Sequence, residues 1–278
     1  MATLVLLLAT VVWGWTFALV KDALREVGPF WFLALRFLFA TLLAAPLLRR
    51  EGAWSRRNWT GGGVLGMALF AGYFFQTWGL TYTTAQKSGL ISGMAVVLVP
   101  AVAWLFGSRP TARTWLGVGL AGAGVALLTL GGGDPLGATG FGDFLTFLCA
   151  VSFAVYMVLL ERYVRAGDWQ ALLPPQLGVV ALLSLVGAWT WREPTFAFSR
   201  GVWGALAITG ALATTGAYYA LAWAERRIPA ARAAIVLAME PVFAGIFGWW
   251  LLGEVLAPGQ LVGAGLVLSG IFSQRSSR

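Results

Sequence analysis

The chain has no histidine, a single cysteine (Cys149) and few charged residues, which make up 11% of its 278 positions. One cysteine cannot form a disulfide framework. No cluster of cysteine and carboxylate side chains indicates a metal site, and no nucleophile lies beside a base. No GxxxxGKS or GxxxxGKT sequence is present to bind ATP phosphates. The sequence therefore predicts no metal, no other cofactor and no enzymatic activity.

Apolar residues dominate the composition instead. They make up 59% of the chain, and the mean hydropathy is +0.79. A soluble core of this size does not need so much apolar surface, so we expect an all-α polytopic membrane protein. Runs of membrane-spanning length predict ten transmembrane helices. They lie at residues 3–21, 29–48, 60–82, 85–106, 114–131, 141–162, 170–191, 201–224, 230–252 and 259–274.

Basic residues are unevenly distributed among the predicted loops. Most arginines fall in cytoplasmic segments if the N-terminus is inside, which predicts cytoplasmic N- and C-termini in a bacterial inner membrane. The sequence pI near 10.4 reflects these flanking arginines, so no nucleic-acid partner is expected. The first apolar run has no basic segment before it and no small-residue cleavage site. It is therefore predicted to be a retained helix and not a signal peptide.

The chain contains an internal repeat. Aligning Pro100 with Pro241 places Val99 on Glu240 and Trp78 on Tyr219, so only the second half keeps the acid. Five helices per half is an odd number, which predicts two inverted five-helix repeats, with a binding site near the midplane and alternating access. We divide the chain into a first repeat (1–132), an external linker (133–140) and a second repeat (141–278).

Two charged residues lie deep within predicted helices. Glu240 directly precedes Pro241, and a carboxylate at such depth costs roughly 2.5 to 3.5 kcal/mol on insertion scales. Arg36 lies at a similar depth, so an Arg36–Glu240 pair is geometrically possible. Alternatively, Arg36 acts in gating or binds a substrate carboxylate. Glu240 is either satisfied by Arg36, Arg232 or a hydroxyl, or it is a proton-titrating or amine-binding carboxylate. Discontinuities at Pro100 and Pro241 would let the fourth and ninth helices bend around a cavity.

Aromatic and amide side chains provide candidate cavity walls. Aromatic faces with a few polar groups suit amphipathic molecules such as aromatic amino acids or organic cations, although aromatic residues near helix ends are commonly interfacial anchors. Trp13 and Phe17 share one helix face and would close the cavity laterally. The candidate substrate-binding residues are Trp13, Phe17, Tyr73, Gln76, Trp78, Tyr82, Tyr156, Gln176 and Tyr219.

Several segments together resemble a known family. These are WGWTF followed by Arg36, the LVP of the fourth helix, and MEPVFAGIFGWWLLGEVLAPGQLVGAGLVLSGIF near the end. They are similar to the EamA family of the drug/metabolite transporter (DMT) superfamily, in two copies over nearly the whole chain. The resemblance implies ten helices, a central cavity and export of small metabolites, with aromatic amino acids the cargo of its YddG-type exporters. Ser108 aligns with Glu254, where the family usually has Glu in both halves.

We therefore predict a secondary transporter that exports small amphipathic metabolites, most favourably aromatic or hydrophobic amino acids. One alternative is proton-coupled efflux of hydrophobic or quaternary cations through Glu240. A second, from another class, is a lipid-handling or structural membrane protein. The expected partners are a small-molecule substrate, the lipid bilayer and a proton as candidate coupling ion, and the expected assembly is a monomer or weak homodimer.

Overall fold

The computed structural model describes residues 1–83, 88, 91–130, 140–194, 198–240, 242–243, 246–247 and 258–273, with the backbone alone at 17, 18, 128–130 and 260. Within these residues the chain forms ten helices and no strand. They are α1 (Ala2–Ala23), α2 (Pro29–Ala44, followed by a 3-10 turn at Ala45–Arg49), α3 (Arg56–Tyr82), α4 (Ala95–Leu105), α5 (Ala112–Leu130), α6 (Phe141–Ala166), α7 (Leu173–Thr190), α8 (Arg200–Glu225), α9 (Ala230–Leu237) and α10 (Pro258–Ser273). The predicted all-α fold is confirmed.

Helix length and composition agree with a membrane location. Among the described residues, five helices are long and apolar enough to cross a bilayer: α1, α2 with its 3-10 turn, α6, α7 and α8. Shorter apolar helices lie at Ile91–Leu105, Ala112–Leu127 and Leu261–Ser273. This multi-pass bundle is what the apolar runs of the sequence predict.

Local sequence signals fix several helix starts. Pro29 occupies the first turn of α2, where the missing N–H of proline would have no helical partner in any case. The Ser55 side chain accepts a hydrogen bond from the backbone N–H of Asn58 and caps α3. Ser199 caps α8 in the same way through the N–H of Val202. These caps satisfy N–H groups that would otherwise lack an acceptor.

The helices of the two halves pack in an exchanged pattern. Helix α2 packs against α7, α5 against α10, α3 against α6, α1 against α8, and α4 against α9. If each helix is exchanged for its counterpart in the other half (α1 for α6, α2 for α7 and so on), the same set of pairs results. A two-fold relation between the halves requires this. A half with five helices starts on one side of the membrane and ends on the other. The second half therefore has the opposite orientation in the membrane from the first.

Glycines let α5 and α10 approach closely. A Cβ atom added at Gly124 of α5 would lie 2.6 Å from the carbonyl oxygen of Gly263 in α10, and one added at Gly270 would lie 2.8 Å from that of Gly117. Small residues at a helix interface in a membrane allow backbones to pack directly. The glycine-rich run of α5 is therefore a packing surface.

Helix α8 contains a π-helical segment at Thr209–Gly216, in the middle of the helix. A π-helix uses i→i+5 hydrogen bonds, takes more residues per turn than an α-helix and often occurs at functional sites. It changes which side chains of the following turn face inward. The segment also carries the carbonyl of Ala213, which accepts a hydrogen bond from Trp13 Nε1 at 2.7 Å.

The fourth helix is not broken at Pro100, whereas the ninth ends one turn before position 241. Pro100 lies inside the continuous helix α4, and the turn that precedes this helix falls at Met94. Proline removes a bond to the carbonyl four residues earlier and crowds that carbonyl, which belongs to Val96 for Pro100 and to Leu237 for Pro241. Helix α9 ends at Leu237, before Glu240, and a turn follows at Ala238 and Met239. Pro241 and most of the predicted linker lie outside the described residues.

Candidate functional site

A cavity lies in the centre of the bundle, enclosed by residues from both halves. Its empty volume, including the open mouth, is about 1010 Å³. Its walls come from α1, α2, α3, α4, α6, α8 and α9. Of the sequence-predicted residues, six line it: Trp13, Arg36, Tyr73, Gln76, Tyr156 and Glu240.

Arg36 is held rigidly at the cavity wall. Its side chain is buried, Nε donates to Thr214 Oγ1 at 2.8 Å, and Nη2 donates to the Tyr73 hydroxyl at 3.3 Å. The guanidinium carbon also lies 4.9 Å from the centre of the Tyr73 ring. Arginine has five N–H donors, and these bonds use two of them. The other donors are not hydrogen-bonded to any described residue, so they are available to a ligand.

Aromatic rings continue the wall from Arg36. The Tyr218 hydroxyl donates to the Tyr73 hydroxyl at 3.0 Å. The Tyr218 ring contacts those of Trp13 and Tyr156, with centroid distances of 5.8 and 5.6 Å, and Phe153 packs edge-on against Tyr73 at 5.4 Å. These rings form a stable apolar surface with polar tips already partnered. A planar or aliphatic group would pack against this surface.

Polar contacts seal one end of the cavity. Tyr156 donates to Gln176 Oε1 at 3.0 Å, and Gln176 is only 1% exposed. Further along, Gln170 Nε2 donates to the Tyr219 hydroxyl at 2.6 Å, and the Tyr219 ring packs on Trp169 at 4.8 Å. Gln176 and Tyr219 therefore lie behind the cavity wall, where they support it.

The cavity extends towards the opposite end of the bundle. Its lining includes Val20 and Leu80, which lie within one turn of the last residues of α1 and α3, and Ser92 and Gly93, which precede α4. We call this the open end. The end at which α6 and α8 finish and α9 begins is called the closed end.

Arg36 and Glu240 face the same cavity without pairing. Within the described part of the chain, ion pairs join Arg25 to Asp22, Arg50 to Asp168 and Arg165 to Glu161, and none joins Arg36 to Glu240 within 4.0 Å. The guanidinium is instead engaged by Thr214 and Tyr73, which lie closer to it. No described residue is hydrogen-bonded to the Glu240 carboxylate. The structure therefore differs here from the ion pair considered in the sequence analysis.

Other predicted residues lie away from the cavity. Trp78 and Tyr82 pack on Phe141 at centroid distances of 5.6 and 5.5 Å, and Tyr82 is 62% exposed. The side chain of Phe17 lies outside the described residues. Tyr218 lines the cavity where the sequence analysis named Tyr219, since the π-helical segment before them alters the register of α8.

Sequence reasoning also missed Thr16, Thr214 and Met157. Thr16 and Met157 line the cavity, and Thr214 binds Arg36. The usable signal for Thr214 was its position in the Thr-Thr-Gly stretch of α8, because paired hydroxyls within an apolar helix need partners. Thr16 and Met157 lack a comparable signal, since threonine and methionine are common on any face of a membrane helix.

A multi-pass helical bundle with repeated halves and a central cavity defines a membrane transporter. The sequence profile of the EamA-like transporter family matches residues 1–130 and 140–273, one match in each half, and the chain belongs to this family.

Similar proteins are also transporters by their names. An uncharacterized transporter of Archaeoglobus fulgidus is 34% identical over 97% of this chain and 84% of its own length. The uncharacterized inner membrane transporter YedA of Escherichia coli K12 is 26% identical over 94% of this chain and 86% of its own. A solved crystal structure superposes with a TM-score of 0.79 over 99% of this chain and 96% of that one, at 22% identity, which supports the fold alone.

Proposed function

We propose that this transporter exports small amphipathic metabolites, most favourably aromatic or hydrophobic amino acids, by alternating access through the central cavity. The observation that carries the proposal is that Arg36 and Glu240 line one cavity without forming an ion pair. A zwitterionic amino acid would satisfy both, with its carboxylate on the guanidinium and its ammonium on the carboxylate. Its apolar side chain would pack on the aromatic wall formed by Trp13, Tyr218 and Phe153.

We also propose an orientation. With both termini in the cytoplasm, α1 and α3 finish outside, so the open end faces outwards and the closed end faces the cytoplasm. We retain the division into repeats at 1–132 and 141–278, joined by an external linker at 133–140. The protein would act as a monomer or weak homodimer in a bacterial inner membrane, since both halves of the cavity come from one chain.

Counterflow into proteoliposomes tests the substrate class. Phenylalanine and leucine are compared with phenethylamine, which lacks the carboxylate, and phenylpropionate, which lacks the amine. We expect the amino acids to exchange and both analogues to exchange at least tenfold less, because each leaves one charged group of the cavity unpaired. Equal exchange of phenethylamine and phenylalanine would contradict the proposal.

Variants then assign each contact. Arg36→Lys keeps the charge but loses the planar fork, and should lower amino acid exchange at least tenfold. Glu240→Gln should do the same by removing the partner of the ammonium. Glu51→Gln, at an exposed position, is the matched control and should leave exchange unchanged.

The lack of a protein partner for Glu240 also favours a second candidate, proton-coupled efflux of hydrophobic or quaternary cations. In that case only cations such as tetraphenylphosphonium would move, only with a proton gradient, and Glu240→Gln would abolish the movement. A purely structural role is disfavoured, since the chain belongs to a transporter family and encloses a cavity.

A further inference from the structure

Glu225 is a second buried acid, remote from the proposed substrate contacts. It is the last residue of α8, lies at the closed end, and is 0% exposed. Neither of its carboxylate oxygens has a hydrogen-bond partner among the described residues. It does not line the cavity. A buried carboxyl group with no donor is costly, so its presence here calls for an explanation other than packing.

The neighbouring acid, Glu161 of α6, is fully engaged. Its Oε2 accepts a hydrogen bond from the backbone N–H of Ala230 at 2.8 Å, and its Oε1 pairs with Arg165 Nη2 at 3.0 Å. Glu161 therefore links the end of α6 to the first residue of α9 across the closed end. Arg165, whose positive charge also acts on Glu225, is already paired with Glu161.

No other charged group compensates Glu225. Among the charged side chains of the described residues, Glu161 repels its negative charge and Arg165 attracts it. Helix α1 carries no charged side chain before Lys21, near its far end, and Arg232 of α9 forms no ion pair with Glu225. Arg227 donates a hydrogen bond to the backbone carbonyl of Trp223, and its guanidinium carbon lies 3.9 Å from the centre of the Trp223 ring.

An ionised carboxylate in this position would cost several kcal/mol, because it has no donor and lies beside the negative charge of Glu161. A neutral carboxylic acid avoids most of this cost. Burial without a donor therefore favours the neutral form of Glu225 in the conformation described here, whereas Glu161 has partners in the Ala230 N–H and Arg165.

We propose that Glu225 is a proton-binding site of the transport cycle, and that its proton holds the closed end shut. The inference deepens the proposed function and rests on it for the existence of a second conformation. Opening separates α6 from α9, breaks the bond between Glu161 and Ala230, and brings Glu225 into water. An exposed carboxyl is ionised at neutral pH, so opening releases the proton. Tyr156 lines the cavity, and Glu225 acts on it electrostatically.

The sign and size of the pH effect follow from linkage. The closed form binds one proton that the open form does not, so raising the pH favours opening. Release of one proton changes the equilibrium by at most tenfold per pH unit. The expected signature is thus an opening equilibrium that rises with pH and loses its slope when residue 225 cannot ionise.

The experiment measures access to the closed end of the full chain in proteoliposomes, without any substrate. A reporter cysteine replaces Ala231, which is buried beside Ala230, in a Cys149→Ala background. Its rate of modification by a charged methanethiosulfonate is measured from pH 6 to 8. Dividing by the rate for Thr60→Cys, at an exposed position, removes the pH dependence of the thiol reaction.

With Glu225 present, the normalised rate should rise at least threefold and up to tenfold per pH unit. Glu225→Gln, which keeps the shape of a neutral acid, should give a low rate without slope, and Glu225→Leu should do the same if the amide disturbs folding. The matched control Glu51→Gln should keep the slope. A slope that persists in Glu225→Gln or Glu225→Leu, or a flat profile in the parent, overturns the proposal. Neither result depends on which solute is carried, so the substrate proposal is tested separately.

Discussion

The hydroxyl of Tyr73 links Arg36 to Tyr218 of the aromatic wall, and the loss of stability on removing this hydroxyl can be calculated. It accepts hydrogen bonds from Arg36 Nη2 at 3.3 Å and from the Tyr218 hydroxyl at 3.0 Å. A bond to a charged donor contributes about 1.5–3 kcal/mol, and a neutral one about 0.5–1.5 kcal/mol. The first bond is long, so Tyr73→Phe should lower the free energy of unfolding by about 2–3 kcal/mol. The ring contact with the guanidinium remains.

Reversible unfolding by SDS in mixed micelles measures this difference. Tyr82→Phe is the matched control, since its hydroxyl has no hydrogen bond to any described residue and its side chain is exposed. It should change the free energy of unfolding by less than about 0.5 kcal/mol. Equal effects of the two substitutions would refute the assignment of Tyr73 as the acceptor that fixes Arg36.

Two further predictions concern the scaffold, and the same unfolding measurement checks both. Gly124→Ala should destabilise by about 1–3 kcal/mol, because its Cβ would lie 2.6 Å from the Gly263 carbonyl. Gly119→Ala meets nothing within 4 Å and should be neutral or slightly stabilising, and matching losses would contradict the close α5–α10 contact. Glu193→Ala should cost about 1–2 kcal/mol, since this carboxylate accepts the first two backbone N–H groups of α2 at 3.2 and 3.0 Å. Exposed Glu51→Ala should cost nothing measurable, and a loss equal to that of Glu193→Ala would rule out the capping role.

The sequence predicted the number of helices and the depth of the polar residues because both depend on short stretches of chain. A run of apolar residues must span the membrane wherever it packs. Arg36, Tyr73 and Glu240 lie too deep to reach the membrane–water interface. Each was therefore expected either to line a cavity or to bond a partner side chain, and all three line the cavity.

What the sequence could not predict depends on contacts between distant segments. The π-helical segment before Tyr218 determines which face of α8 this residue lies on, and no residue type in the sequence predicts such a segment. Trp78 and Tyr82 are residue types expected in a cavity wall, but both rings pack on Phe141 of the other half, and Trp78 also packs on Phe74. Glu225 is followed by two arginines, a pattern typical of solvent-exposed charged residues at a helix end. Tertiary packing nevertheless buries it completely.

The exchanged helix pairing has a consequence for biosynthesis. The principal partners of α1, α2, α3 and α5 all lie in the second half of the chain. When the first five helices leave the ribosome, their packing surfaces face lipid, and the Gly124 surface of α5 has no partner until α10 is made. Neither half can complete its own core, so the first five helices remain loosely packed in the membrane until those of the second half have been made. The cavity is therefore complete only once α9, which supplies part of its wall, has been made, and two halves made as separate chains would have to find each other to form it.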